Sequence, residues 1–196
     1  MARYERINSG ASGPVAGFLG MVFLSMAFLS VAFLAACAPK PEARVWIPDD
    51  YDTWKRTTGL RLDYPIPGHE DNFRIIYMND IGFGFTRTMD GQAEKVVFPE
   101  GTVIAKEVFK GSSPEPGISP MMITAMVKAT GNPDARGGWV WVTKDLALGK
   151  EAVFKGDFCF TCHTNANEAH PYGDKNLDEH FRDYVFFIPG NSPGVQ

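Results

Sequence analysis

Late in the chain, Cys159-Phe160-Thr161-Cys162-His163 puts two thiols and an imidazole in one short run. Two cysteines separated by two residues, with His directly after the second, form the attachment pattern of c-type haem. The spacing has a chemical reason. Each thiol adds to one vinyl group of the porphyrin and becomes a thioether, and two intervening residues let the backbone curl so that both sulfurs reach. His163 then falls under the iron as the proximal ligand. This constrains the fold, because the rest of the chain must leave room for a porphyrin beside residues 159–163. A redox dithiol and half of a zinc site are the competing readings. Zinc needs two more ligands, and the one other cysteine, Cys37, has a better use. A dithiol does not need His163.

The start of the chain indicates the compartment. Arg3 and Arg6 outweigh Glu5 in a polar opening, and Val15 to Ala36 is an uncharged stretch rich in Phe, Leu and Ala. A charged region, an apolar region and small residues before a cleavage point make an export signal. The ending Leu34-Ala35-Ala36-Cys37 resembles the lipobox of bacterial lipoproteins, in which the cysteine becomes the first mature residue and carries a diacylglycerol. Acyl chains contribute roughly 0.8 kcal/mol per buried methylene, enough for several to hold a protein on a bilayer. An uncleaved anchor helix and a soluble exported protein are the alternatives. The lipoprotein reading accounts for Cys37 and leaves no free thiol. It implies a signal peptide over residues 1–36, a proline-containing tether over 37–48 and a domain over 49–190. It also implies a bacterial cell-envelope location facing the periplasm, on the outer rather than the inner membrane. That agrees with c-type haem, which is attached on the exported side.

From Cys37 onwards roughly 160 residues remain, enough for one domain with a sizeable core. Arg3 and Arg6 belong to the leader, so the remainder is more acidic than the −4 of the whole chain. With no basic run, a nucleic-acid partner is excluded from the expectations. The pattern predicts a mainly β (α+β) domain: an antiparallel sheet, a few short helices and a C-terminal haem-attachment segment. Asp49 or Asp50 is placed to cap a short helix, Tyr51 to Thr58, stopped by Gly59. Strands are expected at 73–78, 102–109 and 139–142. Over Met121 to Thr130 the residues alternate, with Ile123, Ala125 and Val127 on one face and Met122, Thr124, Met126 and Lys128 on the other. Helical patterns appear around the haem motif and again over 177–187. Sheet first and haem segment last is not the order of the common small helical cytochromes.

Taken together, three runs carry a resemblance. They are Phe98-Pro99-Glu100-Gly101-Thr102-Val103-Ile104-Ala105-Lys106-Glu107, Gly138-Trp139-Val140-Trp141-Val142, and the late haem motif followed by Asp183-Tyr184-Val185-Phe186. In their order they resemble the cytochrome P-460 family, which includes the beta-type cytochromes c-prime, over most of the mature chain. The resemblance implies covalently bound haem c with five-coordinate iron and an open distal side. It allows a homodimer, which nothing in the residues requires.

The resemblance gives Lys106 two readings. In the namesake enzymes the Lys of this strand is bonded to the porphyrin edge. In the beta-type cytochromes c-prime the fold occurs without that bond. Period-2 alternation puts Lys106 on the face of Ile104 and Val108, consistent with a side chain aimed at a buried group. A lysine snorkelling at a sheet edge gives the same pattern. The hydroxylamine-oxidising members also place a carboxylate over the iron on the next strand. Here that strand has no Asp or Glu, and Thr124 matches the position. A hydroxyl can hydrogen-bond a ligand but is no base at neutral pH. Phe83, Phe85, Met122, Thr124 and Met126 are the expected lining of the distal pocket.

A sixth protein ligand would close the site and make an electron carrier. Candidates are Met78, Met89, Met121, Met122, Met126, His69, His170 and His180, with His69 and His180 expected at the surface and His170 on the proximal side. Three functions therefore stand. They are an oxidoreductase acting on hydroxylamine or nitric oxide, a gas-binding haem protein, and a membrane-tethered electron carrier with a redox protein as partner.

Overall fold

In the computed structural model, residues 44–190 are described. The leader, Cys37 and most of the tether lie outside the described residues. The alternating runs form the strands β1 (Lys55–Arg56), β2 (Asn72–Met78), β3 (Thr86–Asp90), β4 (Ala93–Val97), β5 (Val103–Lys110), β6 (Met122–Lys128), β7 (Trp139–Asp145) and β8 (Lys150–Val153). Six of them make one antiparallel sheet in the order β1-β2-β5-β6-β7-β8, and β3 and β4 pair as a separate hairpin. A single α-helix among the described residues, α1 (Phe158–Thr164), carries the haem motif.

Register decides which side chains share a face. The row Tyr77–Ala105–Ala125–Val142 faces one side, where Val103, Ile123, Val127 and Val140 join it in a buried cluster with Ile47 and Tyr51. The rows Met78–Ile104–Met126–Trp141 and Ile76–Lys106–Thr124–Thr143 face the other side. Both faces are covered, so β7 is buried nearly end to end, as expected for a central strand between two layers. The alternation read over residues 121–130 is therefore the division between the apolar cluster and the site face.

The second face is roofed by the β3–β4 hairpin and the C-terminal segment. Val96 N donates to Phe181 O at 2.7 Å and Phe181 N to Glu94 O at 3.0 Å, which ties the two together. Phe98, Val185 and Ile188 fill the space beneath.

At one end of this face Asp183 is buried. Its carboxylate accepts from Lys128 Nζ at 2.7 and 2.8 Å, from Phe98 N at 2.9 Å and from Trp139 Nε1 at 3.3 Å. Its carbonyl takes a shorter bond from the same indole, at 2.9 Å. The Lys128 ammonium also lies 4.9 Å from the Trp139 ring. Asp183 and Tyr184 both hold positive φ, 50° and 69°. Each costs an L-residue about 1–2 kcal/mol, so the buried hydrogen bonds must hold this turn.

Three expectations are corrected, and some strands went unread. The helix expected over Tyr51 to Thr58 shrinks to a 3₁₀ turn, Tyr51–Thr53. The chain then leaves it to pair with β2, and Thr57 N donates to Ile76 O at 3.0 Å; a sheet edge outweighs a short local helix. Residues 177–187 form turns and bends rather than a helix, because Glu179, Asp183 and Tyr184 sit at positive φ. Strands β3, β4 and β8 were not read from the sequence. The tether ends earlier than expected. Ile47 is fully buried, and the Trp46 and Ile47 amides donate to the Glu151 carboxylate at 2.7 and 3.0 Å.

Replacing Asp183 by Ala strands a buried ammonium and frees a strained turn, a loss of about 3–5 kcal/mol. Urea denaturation of the haem-loaded domain should show this as a lower midpoint with an unchanged slope.

Candidate functional site

Helix α1 places Cys159, Cys162 and His163 at i, i+3 and i+4, on one helical face. All three line a cavity of about 260 Å³ between α1 and the second sheet face. The His163 ring is held on three sides. Trp141 lies 4.7 Å away and Phe186 5.2 Å away, centroid to centroid. Nδ1 stands 2.8 Å from the Tyr184 carbonyl. A carbonyl can only accept, so Nδ1 carries the proton and the Nε2 lone pair is left to ligate. Burial, and then the Lys106 charge, hold the imidazole down to about 4, which keeps it neutral as a ligand must be. The strained turn at Asp183 and Tyr184 therefore has a use: it aims the Tyr184 carbonyl at His163.

The close approach of this turn to α1 depends on Gly137. Its φ is +63°, and a Cβ there would lie 2.6 Å from Tyr184 Cε2 and 2.8 Å from Phe160 Cε2. No side chain fits between these rings.

The opposite wall comes from the sheet and from the loop of residues 60–71. Lys106 is half-buried, lines the cavity, and lies in register with Thr124 on β6. Its Nζ is 2.7 Å from His69 Nε2. Burial, chiefly, and the neighbouring Arg74 bring Lys106 down to about 8, so at neutral pH it remains mostly an ammonium and donates this bond. Burial, chiefly, with Lys106 and Arg74 pushes His69 down to about 3, so it is the neutral acceptor. Burial raises both thiols while Lys106 pulls them back: lysine and cysteines share one space.

His69 owes its place to the loop. Its N donates to Ile66 O at 2.9 Å, and the buried Arg74 gathers the loop by donating to Tyr64 O at 2.6 Å. Gly68 brings the loop against α1, since a Cβ there would lie 2.9 Å from Phe158 Cζ. His69 is thus half-buried in the cavity wall, not at the surface as expected. No local pattern carried the signal, because its partners are 37 residues away in sequence (Lys106) or are backbone groups.

The other expected residues divide. Met122, Thr124 and Met126 line the cavity with Lys106. Phe83 and Phe85 lie outside its wall. They pack instead against the second core cluster, Phe85 at 5.3 Å from Phe98, because a 3₁₀ turn at Gly82–Gly84 carries them towards the β3–β4 hairpin. Met78 is fully buried, whereas Met89 and Met121 are exposed. His180 is half-buried, not exposed, and its Nδ1 accepts from Glu94 N at 3.0 Å. His170 packs on Phe186 at 5.0 Å, on the far side of that ring's contact with His163.

The donor set fits haem c. Two thiols and a tautomerically fixed imidazole stand on one face. Two buried donors in the wall, Trp141 Nε1 and Thr57 Oγ1, have no partner among the described residues. With the Arg74 and Lys106 cations, and no Asp or Glu in the wall, they suit a group bearing carboxylates, as porphyrin propionates do. Among the described residues no group of three His, Cys, Asp or Glu side chains is placed to hold a metal ion.

Gly137→Ala should cost about 1–3 kcal/mol through strain and overpacking, measurable as a lowered thermal midpoint of the holoprotein.

The model of the family described as Cytochrome P460 matches residues 48–187. No curated protein matches the chain.

Proposed function

Since the chain belongs to the Cytochrome P460 family, we propose that it is an exported, lipid-anchored monohaem c-type cytochrome. Its open distal site acts in redox chemistry or in binding of small nitrogen species of the hydroxylamine and nitric oxide kind. The family implies covalently bound haem c, with Cys159 and Cys162 as thioether donors and His163 as the iron ligand. Bound there, haem supplies a redox-active iron with a position for a small ligand.

One observation carries the reading: the attachment residues and the polar group Lys106, His69 and Thr124 line the same cavity. The protein's own part is then clear. Tyr184 holds His163 in its ligating tautomer, Trp141 and Phe186 fix the ring plane, and the apolar wall restricts water. Of the two readings of Lys106, its bond to His69 favours an unbonded ammonium beside the porphyrin over a nitrogen bonded to it.

A second reading has its own support. His69 lines the cavity, and as a sixth ligand it would close the site and make an electron carrier. Against this, its Nε2 is already engaged by Lys106.

The optical spectrum of the reduced protein decides between them. An ordinary c-type spectrum that shifts on adding carbon monoxide is expected. A spectrum indifferent to carbon monoxide means six-coordinate iron and the electron carrier. A strongly red-shifted Soret band means that Lys106 is bonded to the porphyrin and puts nitrogen oxidation first. Turnover with hydroxylamine separates an enzyme from a gas-binding protein.

Export and the lipid anchor rest on the charged, apolar and small-residue sequence of the leader and on Leu34-Ala35-Ala36-Cys37. Growth with a radiolabelled fatty acid should label the haem protein, and Cys37→Ser should abolish that label. An unaltered protein that takes up no label yet stays in the membrane fraction would favour an uncleaved helix.

A further inference from the structure

Lys106 and Thr124 are directly opposed across β5 and β6, which puts their Cβ atoms ~4.5–5.5 Å apart. Thr124 is where the resemblance places the carboxylate of the hydroxylamine-oxidising members. A threonine there leaves Lys106 as the charged group nearest that spot. A carboxylate accepts protons from a ligand, whereas an ammonium can only donate. The exchange therefore inverts what the wall asks of a bound molecule.

His69 completes the arrangement. Among the described residues it is the hydrogen-bond partner of the Lys106 ammonium, which has three N–H groups. One is spent on the imidazole, and the others remain for the cavity. His69 itself is fixed from the far side by the Ile66 turn and Arg74, so the ammonium is tethered rather than free to swing out. No carboxylate in the wall competes for it.

We propose that the His69–Lys106 pair selects the ligand of this pocket. His69 holds Lys106 as an unbonded ammonium over the cavity, so that, besides neutral nitrogen ligands, the ferric site takes a small nitrogen anion of the azide or nitrite type. This rests on the reading of the cavity as an open haem pocket. His69 acts through Lys106 and is a positioning residue.

The test uses the haem-loaded protein, with loading checked by haem stoichiometry. Azide and nitrite are titrated into the ferric form and carbon monoxide into the reduced form, and the C–O stretch is read by infrared spectroscopy. His69→Leu should weaken azide binding about tenfold or more, the scale of one charge-assisted hydrogen bond. It should also raise the C–O stretch, while carbon monoxide affinity stays within about twofold. His69→Gln, whose amide oxygen can accept from Lys106, should keep most of the azide affinity. Lys106→Met should lose azide as His69→Leu does, which keeps the test sharp if the leucine variant loads haem poorly. Unchanged azide affinity and C–O stretch in both His69→Leu and Lys106→Met overturn the proposal, as does a haem peptide whose mass shows Lys106 bonded to the porphyrin. If the unaltered protein binds neither azide nor carbon monoxide, the open pocket itself is wrong and the proposal falls with it. If it binds carbon monoxide but not azide or nitrite, only the anion binding is overturned.

Discussion

The buried Asp183 carboxylate is the interaction on which the rest of the site depends. It joins three parts of the chain: Lys128 at the end of β6, the Phe98 amide before β5, and the Trp139 indole at the start of β7. A buried ion pair is a costly way to gain stability, because both charges lose their hydration. Here the charge holds two consecutive residues at positive φ, and the second of them presents its carbonyl to His163. The link from packing to chemistry is direct. Without the turn, the His163 imidazole loses the group that fixes its tautomer.

The two faces of the sheet do different work. One is closed by aliphatic residues and the segment around Ile47 and Tyr51. The other is roofed over a cavity whose mostly apolar lining includes the Arg74 and Lys106 cations and no carboxylate. Burying a donor without an acceptor is costly, and Trp141 Nε1 and Thr57 Oγ1 in this wall have none among the described residues. That is why the cavity suits a porphyrin with two propionates, and why Lys106, tethered by His69, bears on the choice of small ligand.

Much of this was legible along the chain. The alternation over β6 assigned Ile123, Ala125 and Val127 to one side and Met122, Thr124 and Met126 to the other, because a strand has period 2 whatever its neighbours are. The strand with Lys106 was read for the same reason. The expected helices at Tyr51 to Thr58 and over 177–187 did not form. Short local helices are marginal, and pairing partners from distant segments outweighed them. Phe83 and Phe85 were placed in the pocket by their aromatic character alone, but a 3₁₀ turn directs them to the hairpin.

What the sequence by itself determined are the features written in local spacing: the Cys-x-x-Cys-His attachment segment, the antiparallel β character, the lysine strand and the missing carboxylate on β6. These follow from covalent reach and from backbone periodicity, and neither needs to know the rest of the fold. Only the tertiary structure decided that His69 meets Lys106, that Asp183 joins Lys128 and Trp139, and that Tyr184 orients His163. Each of these contacts spans a long stretch of chain and exists because register and loop path bring the partners together, so no window of neighbouring residues contains it.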